Sequence, residues 1–165
     1  MIKTVFIGLG SNLGDKTKNC ERAVYFLEEH PDISIIKVSK WYKSKALTMD
    51  DATHPDFING AVQIETDTSP IQLATYCKSI EYELGRIPDT RQWQPRVIDL
   101  DILFFGNEIV QTNHLTIPHP SLHQRLFVLK PLSELMPQWI HPVLNKTVAE
   151  LLEEHMVAAT QCSCE

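Results

Sequence analysis

The chain of 165 residues is long enough for one domain that buries roughly 70% of the surface its unfolded form exposes, and too short for a second catalytic unit. With 43% hydrophobic and 22% charged residues it falls among ordinary globular sequences, which excludes disorder and fibrous architecture. Its 15 Lys and Arg against 21 Asp and Glu give a net charge of -6, which argues against nucleic acid or an anionic membrane as partner.

The apolar runs Val5 to Leu9 and Ile102 to Phe105 are far shorter than the ~20 residues a bilayer-spanning helix needs. The N-terminus lacks the pattern of a signal peptide, so the expected location is the cytoplasm. Cys20, Cys77, Cys162 and Cys164 have neither disulfide-framework nor zinc spacing and are read as reduced thiols.

In chain order, Thr4 to Leu9 reads as a buried strand. The glycine-rich turn after it leads to a helix opened near Asp15, with Cys20, Ala23, Val24 and Leu27 at helical spacing before Pro31. Residues 33 to 43 read as a strand, and 44 to 55 as a loop of a length often used as a lid. Phe57 to Thr66 alternates, with Ile58, Val62 and Ile64 on one face and Phe57, Asn59, Gln63 and Glu65 on the other. Pro70 starts a helix with the stripe Leu73, Cys77, Ile80 and Leu84, stopped at Gly85. A second long loop, 86 to 95, precedes a strand over 97 to 105, with a turn at Gly106-Asn107 and a short partner strand at 108 to 110.

Strand, helix, strand, strand, helix, strand is the split βαβ order of a ferredoxin-like α+β sandwich. It predicts an antiparallel sheet with helices packed on one face and short C-terminal helices added. The core is expected over about 1 to 155, with short helices in the proline-rich run 118 to 142, a last helix at 147 to 155, and a tail at 156 to 165.

Asp99 and Asp101 lie two apart on a strand and so share a face about 6.5 Å apart, while Ile98, Leu100, Ile102 and Phe104 are expected on the other. Two adjacent carboxylates in an apolar strand repel each other, and a hard cation such as Mg²⁺ relieves that cost. Arg86, Arg91 and Arg96, three of five arginines, fall in one eleven-residue window just before the acid pair. Guanidinium forks beside a cation-binding acid pair suit phosphoryl transfer. Phe57 offers a stacking ring and Asn59 one donor and one acceptor end, together suited to a flat nitrogen heterocycle, with Trp93 and Phe127 as possible second rings. His119, between two prolines and followed by Arg125, forms a polar segment that could hold phosphate.

The segment Gly8 to Thr17 fits neither G-x-G-x-x-G, which needs glycine at Leu13, nor the Walker loop, which needs glycine at Asp15. It reads as a strand-to-helix turn. Seven histidines without H-x-x-x-H or H-E-x-x-H argue against zinc. Two other readings stay open on these residues: a non-catalytic heterocycle- or nucleotide-binding module, and a D-x-D nuclease, for which the net charge is unfavourable.

Gly10-Ser-Asn-Leu-Gly14, Phe57-Ile-Asn59, Glu81 through Arg86, Trp93-Gln-Pro-Arg96-Val-Ile-Asp99-Leu-Asp101, Pro118-His119 and Arg125-Leu-Phe127 together closely resemble the hydroxymethyl-dihydropterin pyrophosphokinases of folate synthesis, over about residues 1 to 155. The resemblance implies diphosphate transfer from ATP to the hydroxymethyl group of 6-hydroxymethyl-7,8-dihydropterin, with release of AMP. It implies Asp99 and Asp101 as ligands of two Mg²⁺ ions, with Arg86 and Arg96 bracing phosphate as the other catalytic residues. Phe57 and Phe127 would sandwich the pterin, Asn59 would read its edge, Ser44, Lys45 and Leu47 would close the pocket, and Trp93 would reach both substrates. Lys78, Glu81, Arg86, Arg96, Ile102, His114, Thr116, His119 and Arg125 would line the ATP side. Phe57 stands where the family often has tyrosine, Lys45-Ala46 where it has prolines, and Lys78, Pro88 and His114 differ on the ATP side. The implied partners are small molecules only, and the implied state is a monomer.

Overall fold

The computed structural model describes residues 1–44, 56–85 and 97–163. Strand β1 (Lys3–Ser11) is joined to helix α1 (Lys16–Glu29) by a turn, and the Asp15 carboxylate caps the helix by accepting from the Lys18 N–H at 3.3 Å. Strands β2 (Ile33–Val38), β3 (Tyr42–Ser44) and β4 (Phe57–Thr66) follow. Helix α2 (Pro70–Glu83) opens on a reciprocal cap between Ser69 and Gln72, with Pro70 in its first turn. Strand β5 (Asp99–Phe105) completes a sheet ordered β2-β4-β1-β5, antiparallel at every pairing, with β3 extending the β4 edge. This is the ferredoxin-like α+β arrangement the element order predicts.

Val5, Ile7, Leu9, Val62, Ile64, Leu100 and Ile102 point from the sheet to one side and meet Cys20, Ala23 and Leu27 of α1 and Leu73, Cys77 and Ile80 of α2 in a single buried cluster. Each apolar stripe read from helical spacing thus finds its sheet partner. Cys20 and Cys77 are free thiols. Burial pushes both up to about 12, with Glu21 adding to the effect at Cys20, and Glu81 and then Asp101 at Cys77.

Four expectations are corrected. Residues 33 to 43 do not form one strand, because at Ser39 the side-chain oxygen takes the Ala61 N–H at 2.9 Å, a bond made outside the backbone ladder, so β2 and β3 pair with β4 as separate pieces. Phe104 is not on the face of Leu100 and Ile102. Phe6 pairs with Phe104 while Ile7 pairs with Ile102, so Leu103 is an extra residue whose bulge turns Phe104 over. The segment after the Gly106 turn does not return to β5: β6 (Val110–Gln111) pairs instead with β7 (Thr116–Ile117). Helices cover both faces rather than one.

That second cover follows from the bulge. Phe6, Ala61, Leu103 and Phe104 form an apolar patch on the other face, and Leu129, Leu132 and Leu135 of α3 (Leu126–Leu135) and Val148 and Leu151 of α4 (Val148–Ser163) bury it. Helix α3 runs through Pro131, inside the proline-rich stretch, and α4 continues eight residues past the expected end at 155. Phe6 makes edge-on ring contacts with Phe104 and Trp139, and Phe104 meets Trp139 at a tilt, which locks this layer. Among the described residues no helix is long and apolar enough to cross a membrane.

Candidate active site

The rest of that second face, left clear of the apolar patch, is polar. Asp99 and Asp101 on β5, Gly8 and Gly10 on β1, and Phe57 and Asn59 on β4 alternate onto it, with Ser44 of β3 opposite Phe57. Register makes this a line across three strands. Gly10 pairs with Asn59 on one side and Asp99 on the other, and Gly8 pairs with Asp101.

Gly10 is the feature the sequence reading missed: Gly8 falls within the strand read over Thr4 to Leu9, but Gly10 was placed in the turn after it. Both are strand residues; the missing side chain of Gly10 leaves room between Asp99 and the amide, while over Gly8 the Leu103 side chain packs 3.4 Å from where a Cβ would stand. A methyl on Gly10 would stand 2.9 Å from the Asn59 Oδ1 and 3.7 Å from the Phe57 ring. Glycine alternating in a β-branched strand is a signal of close approach that was available.

Asn59 is 6% exposed, and its Nδ2 donates to the Ser44 Oγ at 2.7 Å. Asp99 is half-buried and Asp101 exposed on the same face of β5. Glu81 reaches the strand from beneath: it is 4% exposed, and its Oε2 accepts the Leu100 N–H at 3.2 Å, filling a backbone position on an edge strand.

His119 follows β7 and is fixed to β5 by its N–H, which donates to the Leu103 carbonyl at 3.1 Å. Its Nδ1 accepts the Ser121 N–H at 3.2 Å, so in the neutral ring the proton resides on Nε2. Burial holds this histidine below its ordinary value. Asp101 and, more weakly, Asp99 pull the other way, and Arg125 adds to the lowering. Those four groups therefore share one electrostatic neighbourhood. Arg125 precedes α3 and stacks over the half-buried Phe127 in its first turn, 5.7 Å from the ring centre.

The remaining predicted residues are scattered. The Ile102 side chain lies in the core under the sheet, not on the open face. Lys78 on α2, His114 before β7 and Thr116 on β7 are exposed. Lys45, Leu47, Arg86, Arg91, Trp93 and Arg96, and with them both expected lids, lie outside the described residues.

Two carboxylates on one strand face are hard oxygen donors that fit Mg²⁺, an ion that keeps waters and takes substrate phosphate as further ligands. Among the described residues no group of three or more His, Cys, Asp or Glu side chains could hold a metal by itself. The protein's share of such a site is the acid pair.

A ferredoxin-like sheet that carries an acid pair, an aromatic ring and a buried amide on one open face suits a small kinase-type transferase. The comparisons identify the family. Residues 6–137 match the family model described as 7,8-dihydro-6-hydroxymethylpterin-pyrophosphokinase. The chain is 41% identical over 138 residues to the 2-amino-4-hydroxy-6-hydroxymethyldihydropteridine pyrophosphokinase of Bacillus subtilis, covering 84% of this chain and 81% of that one. It is 36% identical over 157 residues to the enzyme of that name from Haemophilus influenzae, covering 93% and 96%. In fold it is similar to Plasmodium falciparum HPPK-DHPS solved with pterin and p-hydroxybenzoate, with a TM-score of 0.76 at 16% identity over 98% of this chain. It spans 44% of that longer chain.

This chain belongs to the 7,8-dihydro-6-hydroxymethylpterin-pyrophosphokinase family of folate biosynthesis. It is a transferase that moves diphosphate from ATP to the hydroxymethyl group of 6-hydroxymethyl-7,8-dihydropterin, and the binding-module reading gives way.

Proposed function

We propose that this transfer takes place on the open sheet face, with the pterin over Phe57 and Asn59 and the polyphosphate over Asp99 and Asp101. One observation carries the assignment: Asn59, Gly10 and Asp99 fall in register, so a buried amide and an acid pair share one face with only a glycine between Asn59 and Asp99.

Mg²⁺ held by Asp99 and Asp101 would screen the phosphate charge and polarise the phosphorus under attack. Phe57 stacks on the pterin and Asn59 pairs with its polar edge, which fixes the hydroxymethyl oxygen in line with the β-phosphorus. Phe127, whose ring Arg125 covers, closes the stack from α3. Arg86 and Arg96 brace phosphate oxygens, and AMP leaves as the pterin oxygen bonds to the β-phosphorus. His119, kept neutral by burial, holds its proton on Nε2 and donates it as a hydrogen bond on the phosphate side. Glu81 holds β5 from below, so the acids keep their spacing when phosphate arrives. Lys45, Leu47 and Trp93 complete the pocket over the substrates, and His114 and Thr116 border the nucleotide, whereas Ile102 under the sheet and Lys78 on α2 take no part on this face. Localisation in the cytoplasm and action as a monomer on small molecules alone belong to the same reading.

The test is chromatography of nucleotide products after mixing the protein with ATP, Mg²⁺ and hydroxymethyl-dihydropterin, beside Asp99→Asn and Asn59→Ala variants. The expected result is AMP that requires pterin and metal, lost in Asp99→Asn at saturating substrates, and recovered in Asn59→Ala only at higher pterin concentration. AMP formation at the wild-type rate by both variants would remove the reaction from this face.

A further inference from the structure

We propose that the Ser44 hydroxyl is a positioning group that ties down one end of the Asn59 carboxamide, so that only the acceptor end, lying over Gly10 on the side of the acid pair, is left for the substrate. The proposal rests on the reading of this face as the pterin site and adds which atom of Asn59 selects the substrate.

An asparagine amide is nearly symmetric in shape, but one end donates two hydrogens and the other only accepts. An unrestrained side chain presents either end to a ligand and loses that freedom on binding. Here the freedom is already gone. Asn59 is 6% exposed on the sheet face, and its Nδ2 donates to the Ser44 Oγ at 2.7 Å, a short bond reaching diagonally from β4 to β3. Its Oδ1 points the other way, toward β1, where it lies 2.9 Å from the place a Gly10 side chain would occupy. Gly10 pairs with both Asn59 and Asp99, so this oxygen is directed along the line to the acid pair.

Gly10 contributes twice. Its missing side chain makes the room, and the hydrogen it carries there meets an oxygen favourably, whereas an amide NH₂ in that place would set hydrogen against hydrogen. The Ser44 hydroxyl can pair with either end of an amide, so Ser44 holds the side chain in place and Gly10 selects which end faces it. The ligand chemistry follows: a flat heterocycle with a ring N–H donor on the edge nearest its phosphate-accepting group meets the free acceptor, and an analogue without that donor leaves the buried Oδ1 unpaired.

Ser44 thus acts through Asn59, and this distinguishes it from a residue that merely touches the pterin. Ser44→Ala is expected to raise the pterin KM roughly tenfold, with kcat and the ATP KM within about threefold of wild type. Ser44→Thr, which keeps the hydroxyl, is expected to restore the pterin KM. In an Asn59→Ala background Ser44→Ala is expected to add nothing, because the group it positions is gone. An unchanged pterin KM in Ser44→Ala, or the same loss in both backgrounds, would overturn the proposal. The clamp is also readable without substrate: the Asn59 side-chain NH₂ signals in ¹H–¹⁵N NMR should show one hydrogen-bonded proton, lost in Ser44→Ala and kept in Ser44→Thr. If wild type fails to turn over pterin, the site reading falls, and these signals still decide the clamp: loss in Ser44→Ala supports it and no change overturns it.

Discussion

The Glu81 carboxylate, buried beneath the sheet, accepts the backbone N–H of Leu100 at 3.2 Å, between the two aspartates of β5. An edge strand ordinarily leaves such a group to water, but here α2 covers it. Glu81→Ala should therefore leave a buried donor unsatisfied and cost about 1 to 3 kcal/mol, while Glu81→Gln keeps an acceptor and should cost less. Urea unfolding of the three proteins checks this. Equal stability of Glu81→Ala and wild type would show that Leu100 gains nothing from the contact.

Gly60 makes the second stability prediction. A methyl there would run into the Trp41 ring and lie 3.1 Å from the Ser39 Oγ. Both side chains sit where the chain passes from β2 to β3. Gly60→Ala should destabilise the fold by about 1 to 3 kcal/mol, and removing the ring as well, in Gly60→Ala with Trp41→Ala, should cost less than the sum of the two single changes. Strict additivity in thermal unfolding would mean that the methyl and the ring do not meet.

Much of this was legible in the sequence. Period-two and helical spacing gave the ferredoxin-like order, and the Ile58, Val62, Ile64 stripe lies in the α1–α2 core as read. What escaped was set by single inserted residues. Leu103 flips Phe104 because one extra residue reverses every side chain beyond it, and no alternation pattern shows where a partner strand lacks that residue. The apolar patch of Phe6, Leu103 and Phe104 then demands a second helical layer, which the prolines between 118 and 142 disguised. At the site, residue types identified the acid pair, the amide and the ring. The room at Gly10 between them, and the bond from Asn59 to Ser44, depend on cross-strand register.

Asp101→Ala should abolish turnover while the metal-free protein keeps its fold. On β5, Asp101 stands beside Asp99, and removing one carboxylate relieves a like-charge contact. The expected outcome is a loss of at least about a hundredfold in kcat with a cooperative melting transition retained in EDTA. Added Mg²⁺ with a non-hydrolysable ATP analogue should raise the Tm of wild type more than that of the variant. A variant that unfolds in EDTA, with full activity in its native fraction, would make Asp101 a structural residue.

His141 is held in a form that acid disfavours. It is 5% exposed, its ring packs edge-on against Phe104 at 5.5 Å, and its Nδ1 accepts the N–H groups of Val143 and Leu144, each at 3.1 Å. A protonated ring cannot accept there, so the fold requires the neutral form. Burial first, and His123 second, hold His141 below the ordinary histidine value of 6.5. The unfolded chain takes up this proton at a higher pH than the folded one. The histidine's contribution is therefore complete above about 6.5 and is lost as the pH falls from there through the lowered folded value. The loss acts where the loop before α4 meets Phe104, in the apolar patch of the same sheet face that carries the acid pair. Melting curves between pH 7.5 and 5 should show Tm falling with acid. In His141→Asn, whose Oδ1 can accept the same two N–H groups without titrating, that fall should be shallower even if the variant is less stable at pH 7.5. Parallel curves for the two proteins would assign the acid sensitivity to other groups.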